Sequence, residues 1–217
     1  MVDIIPGINE KEWSEIERKI VLVAPYVSWV QIDIADETLV PNKTYTDFTS
    51  ATFARIPGWD SLHKSLSFEA HLMVANPEKY IHPLADAGFK RLIAHIEASD
   101  PRRFLDAAHY ESVEVGMAID GATEFEQIEP FLEDVDVVLV MTVEAGLSGQ
   151  PFLPETLEKI KSIRRNVTDI PVEVDGGIDD KTARLVKEAG ATRLVSTTYI
   201  FKDPERIEVA IDRLKNV

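Results

Sequence analysis

The sequence predicts a single (β/α)8 barrel over residues 1–217, on three observations. Short runs of β-forming residues alternate with amphipathic stretches at a steady spacing, in eight pairs without a linker, repeat or low-complexity break. Two of those runs close on aspartate, at Trp29 to Asp33 and Pro171 to Asp175, each with apolar side chains on one face and polar ones on the other. No Gly-x-Gly-x-x-Gly turn follows the first run, where Pro6, Gly7, Ile8 and Asn9 stand instead, which disfavours an open doubly wound sheet. A chain of 217 residues, 45% hydrophobic, can bury one substantial core. It falls a little short of the ~250 residues usual for such barrels, so few insertions are expected.

In chain order, the first run lies near Asp3 to Ile5 and precedes an amphipathic stretch from Glu10 to Val23. The second, Trp29 to Ile34, leads into the least regular part of the chain, Val40 to Leu66, rich in Thr, Ser and aromatic residues. That segment reads as a long loop with a short helix, of the kind that often covers an active site. Ser67 to Val74 is the third run. Asn76 and Pro77 then pair a capping residue with proline at the start of a helix to Ala87, and Gly88 stops it. Arg91 to Ile96 is followed by Asp100 and Pro101, opening a helix to His109. After Ser112 to Ile119 comes Glu124 to Leu132, whose acidic residues through Glu133 read as the exposed side of a helix. Val137 to Thr142 leads to a helix over Pro154 to Arg165, and Pro171 to Asp175 to one over Asp180 to Ala189, ended by Gly190. Arg193 to Ser196 is the last run, and Asp203 with Pro204 opens the last helix, to Leu214.

The 38 acidic residues outnumber the 23 basic ones, for a formal charge of -15, which opposes nucleic acid and anionic membrane surfaces as partners. The same field repels a small phosphorylated ligand unless backbone N–H groups supply local help. There is no cysteine, hence no disulfide or thiolate chemistry. No basic segment with a long apolar one opens the chain, and no apolar stretch approaches the roughly 20 residues that span a bilayer, so a cytoplasmic protein is expected.

In a parallel barrel the strand face toward the helices is apolar, and residues at the strands' carboxyl ends reach the mouth. Alternation puts Gln31 and Asp33 opposite Val30, Ile32 and Ile34, and Glu173 and Asp175 opposite Val172 and Val174. Two acids on separate strands facing one cavity suggest proton transfer. His71 alone on an apolar strand reads as a satisfied core histidine, while His95 shares the face of Ile93 and reads as a supporting or purely structural residue. His63, His82 and His109 fall in helical or loop segments and should be solvated. Met73 and Met141 should pack beneath a substrate. Gly146, Gly149, Gly176 and Gly177 follow the sixth and seventh runs, where bare N–H groups can approach an anion.

Taken together, four segments resemble the metal-binding, catalytic and phosphate-binding segments of ribulose-phosphate 3-epimerases, in order and approximate spacing and nearly end to end. They are Gln31 to Asp36 with Val40 to Asn42, His71 to Tyr80, Val138 to Val143 with Gly146 to Gln150, and Val172 to Ile178. The resemblance implies a barrel of the ribulose-phosphate-binding type that inverts C3 of a ketose phosphate, such as ribulose 5-phosphate or xylulose 5-phosphate. It implies Asp33 and Asp175 as the acid/base pair working through a metal-stabilised enediolate. The divalent cation, zinc, manganese, iron or magnesium, would be held by Asp33, His71 and Asp175. Gln31 stands where the family has a second histidine, and its amide oxygen is a weaker donor that favours an oxygen-accepting cation or an empty site. Other departures follow the same surface. The family's serine near the first strand is Gly7, the methionine between the second-strand aspartates is Ala35, and the glycine after Asp36 is Glu37. Its Gly-Ser pair after the eighth strand is Thr197 and Thr198, which should narrow or shift the phosphate pocket. A homo-oligomer is implied. Two other readings are an altered homologue that binds a phosphometabolite or serves in assembly, and a related barrel with aldol or decarboxylation chemistry. The latter commonly uses Asp-x-Lys-x-x-Asp, and no lysine lies between Asp33 and Asp36.

Overall fold

In the computed structural model, which describes residues 2–217, eight parallel strands close into a barrel, each bonded to the next and the last back to the first. They are β1 (Asp3–Ile8), β2 (Trp29–Ala35), β3 (Ser67–Met73), β4 (Arg91–His95), β5 (Glu114–Ile119), β6 (Val137–Met141), β7 (Val172–Asp175) and β8 (Arg193–Ser196). Closure is made by β8 against β1, with Ile5 opposite Val195 and Pro6 opposite Ser196. The outer wall carries α1 (Trp13–Val23), α4 (Glu78–Ala87), α5 (Pro101–Ala108), α7 (Thr156–Asn166), α8 (Thr182–Ala189) and α10 (Ile207–Lys215). Outward strand residues such as Val30, Ile32, Ile34, Val172 and Val174 are buried beneath these helices in one large apolar cluster. Each such side chain contributes roughly 1.5–3 kcal/mol on burial, which fixes which strand face turns inward.

The barrel interior is divided. Ile93, Ala118, Val137, Leu139, Met141 and Val143 form a separate apolar cluster. The remaining interior is polar, with Gln31, Glu69, His71, Arg91 and Glu173 fully buried. Glu173, two residues before Asp175 on the same inner face, does not reach the mouth. It lies 3.8 Å from the Arg91 guanidinium, which also pairs with Glu69 and Glu114 and lies over the Trp29 ring.

Several local expectations change. The segment 40–66 holds two short helices, α2 (Ser50–Phe53) and α3 (Trp59–Leu62). Most of it is not a cover: Phe48, Phe53 and Trp59 join a cluster of rings with Trp13, Phe68 and Phe89. Only its start touches the mouth, where Asn42 Nδ2 donates to the Gly146 carbonyl at 2.7 Å. The acidic stretch 124–133 is a short α6 (Phe125–Ile128) continued by a 3-10 turn, Glu129–Asp134, because Pro130 lacks the N–H that an α-helix would use. Asp100 caps α5 as its sequence predicts, but Asn76 makes no side-chain cap and α4 opens on its backbone carbonyl. Asp203 and Pro204 open a 3-10 turn before α10, and an additional short helix, α9 (Thr198–Phe201), follows β8 directly. Glu37 holds φ at 67°, a left-handed conformation that costs a side chain roughly 1–2 kcal/mol and suits the glycine that its family-like position implies.

Candidate active site

Asp33, two residues before the end of β2, and Asp175, the last residue of β7, lie on strands either side of the β8–β1 closure, and both open into one cavity of about 390 Å³ at the strands' carboxyl ends. Gln31 joins them from below. Its amide nitrogen donates to Asp33 Oδ1 at 2.8 Å and to Asp175 Oδ2 at 2.7 Å. Asn9, in the loop after β1, donates to Asp33 Oδ2 at 2.9 Å, and Asn42 holds Asn9 in turn at 3.1 Å. His71 comes from β3, register partner of β2, with Asp33 directly opposite it. Its Nδ1 stands 3.4 Å from Asp33 Oδ1 and 3.5 Å from Asp175 Oδ2, ion-pair separations in which no hydrogen bond is formed. On its other side, Nε2 lies 2.8 Å from His95 Nε2, and the two rings stack with centroids 5.0 Å apart. Behind them, His95 Nδ1 meets Glu97 Oε2 at 3.0 Å.

Burial opposes a charge on His71, but the flanking carboxylates of Asp175 and Asp33 outweigh it and push its pKa up to about 10. Burial, reinforced by the charge of Asp33, raises Asp175 above the ordinary carboxylate range despite the partial relief from His71. His95 is lowered by burial and stays neutral. Glu97 is also raised by burial, but its bond to His95 prevails and holds it down at about 2. The sign for stability follows from His71. A group whose pKa rises from 6.5 to about 10 on folding stabilises the fold fully below pH 6.5, and that contribution disappears as pH rises through 10. Metal-free protein is therefore expected to lose stability toward pH 10, at about 1.4 kcal/mol per pH unit inside this window. His71→Gln should flatten the dependence, as read by urea denaturation at fixed pH values. An unchanged slope would show that the imidazolium is not held by the two acids.

Asp33, His71 and Asp175 each offer a ligand atom, and these atoms lie within 4.8 Å of one another. His71 Nδ1 and, on the neighbouring Gln31 side chain, Oε1 are buried without a hydrogen-bond partner. Imidazole nitrogen with carboxylate oxygens is a donor set that divalent cations accept, so the three residues fit a metal. Gln31 as it stands presents N–H rather than oxygen to the site. Turning its amide over would exchange the two ends and make Oε1 the fourth donor.

Of the residues expected to contact substrate, Met73, Met141, Gly146 and Gly149 line the cavity, as do Gly176, Gly177, Thr197 and Thr198. A Cβ on Gly149 would stand 3.6 Å from Thr198 Oγ1, which brings the loops after β6 and β8 together at one end. Gly7 is not among the residues that line the cavity, and a Cβ there would come within 2.6 Å of Thr197 Oγ1. The bulk of Thr197 and the bareness of Gly7 are two sides of one contact across the barrel closure. Gln31 also lies outside the cavity lining, beneath the two acids. His63, His82 and His109 are exposed as expected. Three contributors escaped the sequence reading. Asn9 sits in an unpatterned loop. Lys202 is the lone lysine or arginine lining the cavity among the described residues. Glu97 lies two residues beyond His95, a spacing that could have signalled a shared face.

The model of the ribulose-phosphate 3 epimerase family matches residues 3–201. The ribulose-phosphate 3-epimerase of Schizosaccharomyces pombe is 35% identical over 208 residues, 94% of this chain and 90% of that relative. The Rhodobacter capsulatus enzyme of the same name is 35% identical over 205 residues, 93% of this chain and 86% of its own. Among solved structures, KGPDC from Streptococcus mutans superposes with a TM-score of 0.72 over 99% of this chain and 96% of that one. At 14% identity that likeness shows the barrel fold alone. Among the described residues no helix is long and apolar enough to cross a membrane.

Proposed function

Because the chain belongs to the ribulose-phosphate 3-epimerase family, we propose that it inverts C3 of a small ketose phosphate such as ribulose 5-phosphate, using Asp33 and Asp175 as the two proton-transfer groups. The observation that carries this reading is the convergence of the two carboxylates on the single Gln31 amide at the floor of one cavity. A proton beside a ketone is weakly acidic, so its removal needs a positioned base and stabilisation of the developing oxyanion. One aspartate takes the C3 proton, the planar enediolate lies between the two acids, and the other aspartate returns a proton to the opposite face. Their roles exchange with the direction of reaction. The raised pKa of Asp175 suits a carboxyl that must spend part of each cycle protonated. Asn9 and Gln31 orient Asp33, while Asp175 Oδ1 makes no hydrogen bond among the described residues and is free to reach substrate.

A divalent cation held by Asp33, His71 and Asp175, with Gln31 after an amide turn, would supply positive charge to the substrate oxygens as they gain negative charge. At the other end of the cavity, Gly149, Gly177 and Thr198 offer N–H and hydroxyl donors to phosphate, and Lys202 supplies a local cation against the charge of -15. Met73 and Met141 give the sugar backbone an apolar seat.

The test is solvent deuterium incorporation at C3 of ribulose 5-phosphate by protein supplied separately with zinc, manganese, iron and magnesium. Exchange accompanied by formation of xylulose 5-phosphate is expected. No exchange with any cation rejects the activity. A second reading, a binding protein derived from an epimerase, draws on the Gln31 amide, whose N–H₂ already satisfies both acids without a cation. Tight binding of ribulose 5-phosphate without exchange would favour it.

A further inference from the structure

We propose that Glu97 and His95 are positioning residues that set which nitrogen of His71 faces Asp33 and Asp175, acting through a one-way chain of hydrogen bonds. For its use in the reaction, the inference rests on the metal-assisted epimerase reading. The direction of the chain follows from what each group can donate. Glu97 Oε1 accepts the backbone N–H of Asp120 at 2.9 Å, and Oε2 lies 3.0 Å from His95 Nδ1. A carboxylate only accepts, so His95 Nδ1 must carry hydrogen. A neutral His95 then has a lone pair at Nε2, which stands 2.8 Å from His71 Nε2. Two ring nitrogens that close share one proton, so it is His71 Nε2–H that donates.

The remaining nitrogen of His71, Nδ1, is thereby aimed between the two acids, where it is buried and makes no hydrogen bond. Both rings are essentially buried and stacked, at 0% and 1% exposure, so neither can turn over independently to change the pairing. The anchor of the chain is equally fixed. Lys159 of α7 donates to the carbonyls of Asp120 and Gly121, holding the backbone that holds Glu97. Hydrogen on His71 Nε2 is thus fixed from β4 and the loop after β5, so Nδ1 is the nitrogen whose proton lies between the two acids in the metal-free protein and is given up when a cation binds.

Glu97→Gln tests this without removing volume. Its single oxygen must still accept from Asp120 N–H, which leaves its amide nitrogen to donate to His95 Nδ1. The chain should then reverse, placing hydrogen on His95 Nε2 and stripping it from His71 Nε2, so that His71 is left neutral with its one proton at Nδ1 between the acids. Long-range proton–nitrogen spectra of histidine-labelled protein read this directly in the metal-free state, with His95→Gln for assignment. Wild-type His95 is expected protonated at Nδ1 alone, and Glu97→Gln is expected to move that proton to Nε2. Affinity for zinc, measured by competition with a chromophoric chelator, should fall by about 10–100-fold in the variant, the usual loss when a ligand's outer partner is changed. His95 protonated at Nε2 in the wild type, or spectra unchanged in Glu97→Gln, would overturn the proposal. Absence of cation affinity in the wild type would instead count against the metal part of the functional reading, and the spectra would still decide this one.

Discussion

Asp175→Asn is expected to abolish inversion, lowering kcat for ribulose 5-phosphate by about 10²–10⁴ or more, the range associated with losing one positioned acid/base group. The amide is nearly isosteric and the residue ends β7 rather than supporting the core, so the barrel should remain folded. The informative part is what survives. If Asp33 and Asp175 work on opposite faces, the variant retains the base on one side. The epimer whose C3 proton points toward Asp33 should then exchange that hydrogen with solvent without becoming its partner. Asp33→Asn should show the mirror image, with exchange confined to the other epimer. Mass spectrometry of each epimer recovered from deuterium oxide makes the comparison, with circular dichroism confirming the fold. Loss of both exchange and inversion for both epimers in each variant would mean that both acids are needed for every proton removal, and would overturn the division of faces. Retained inversion in either variant would remove that residue from the chemistry.

The acids were legible because their signal is local: alternation along β2 and β7 assigns Asp33 and Asp175 to the inward face whatever the rest of the chain does. His71 is legible in the same way, as is the placement of His95 with Ile93. What alternation cannot show is which inward residues meet. Glu173 and Asp175 share a face, yet one ends in the floor and the other in the mouth, because barrel closure brings Arg91 to the level of Glu173 and not of Asp175. The Gly7 contact with Thr197 spans 190 positions and exists through the β8–β1 pairing alone, so each residue looked like an isolated departure. Asn9 carries no pattern because it stands in a loop. The break at Pro130 was readable from proline's missing donor, and the acidic charge pattern drew attention away from it.

Arg91→Met is expected to destabilise the folded protein by about 3–5 kcal/mol near neutral pH, the cost of removing one partner from a buried ion pair. Arg91 is fully buried, paired with Glu69 from the adjoining strand and with Glu114, within 3.8 Å of Glu173, and stacked on Trp29 at 4.0 Å. Burial raises both Glu69 and Glu173, and Glu173 the more because the charge of Glu69 adds to it while Arg91 relieves it. The guanidinium is therefore the charge that permits an anion on the barrel floor. Without it, the Glu69 carboxyl rises further above its unfolded value of 4.5. A carboxyl raised in the folded state leaves stability intact while both states are protonated and withdraws it as pH climbs through the folded pKa. The deficit of Arg91→Met should accordingly be small near pH 4.5 and grow toward neutrality. Adding Glu69→Gln should recover most of it, because the neutral amide needs no counter-charge. Urea denaturation of the single and double variants across this range tests the account. A loss independent of pH, or one not rescued by Glu69→Gln, would mean that packing against Trp29 rather than charge is what Arg91 supplies.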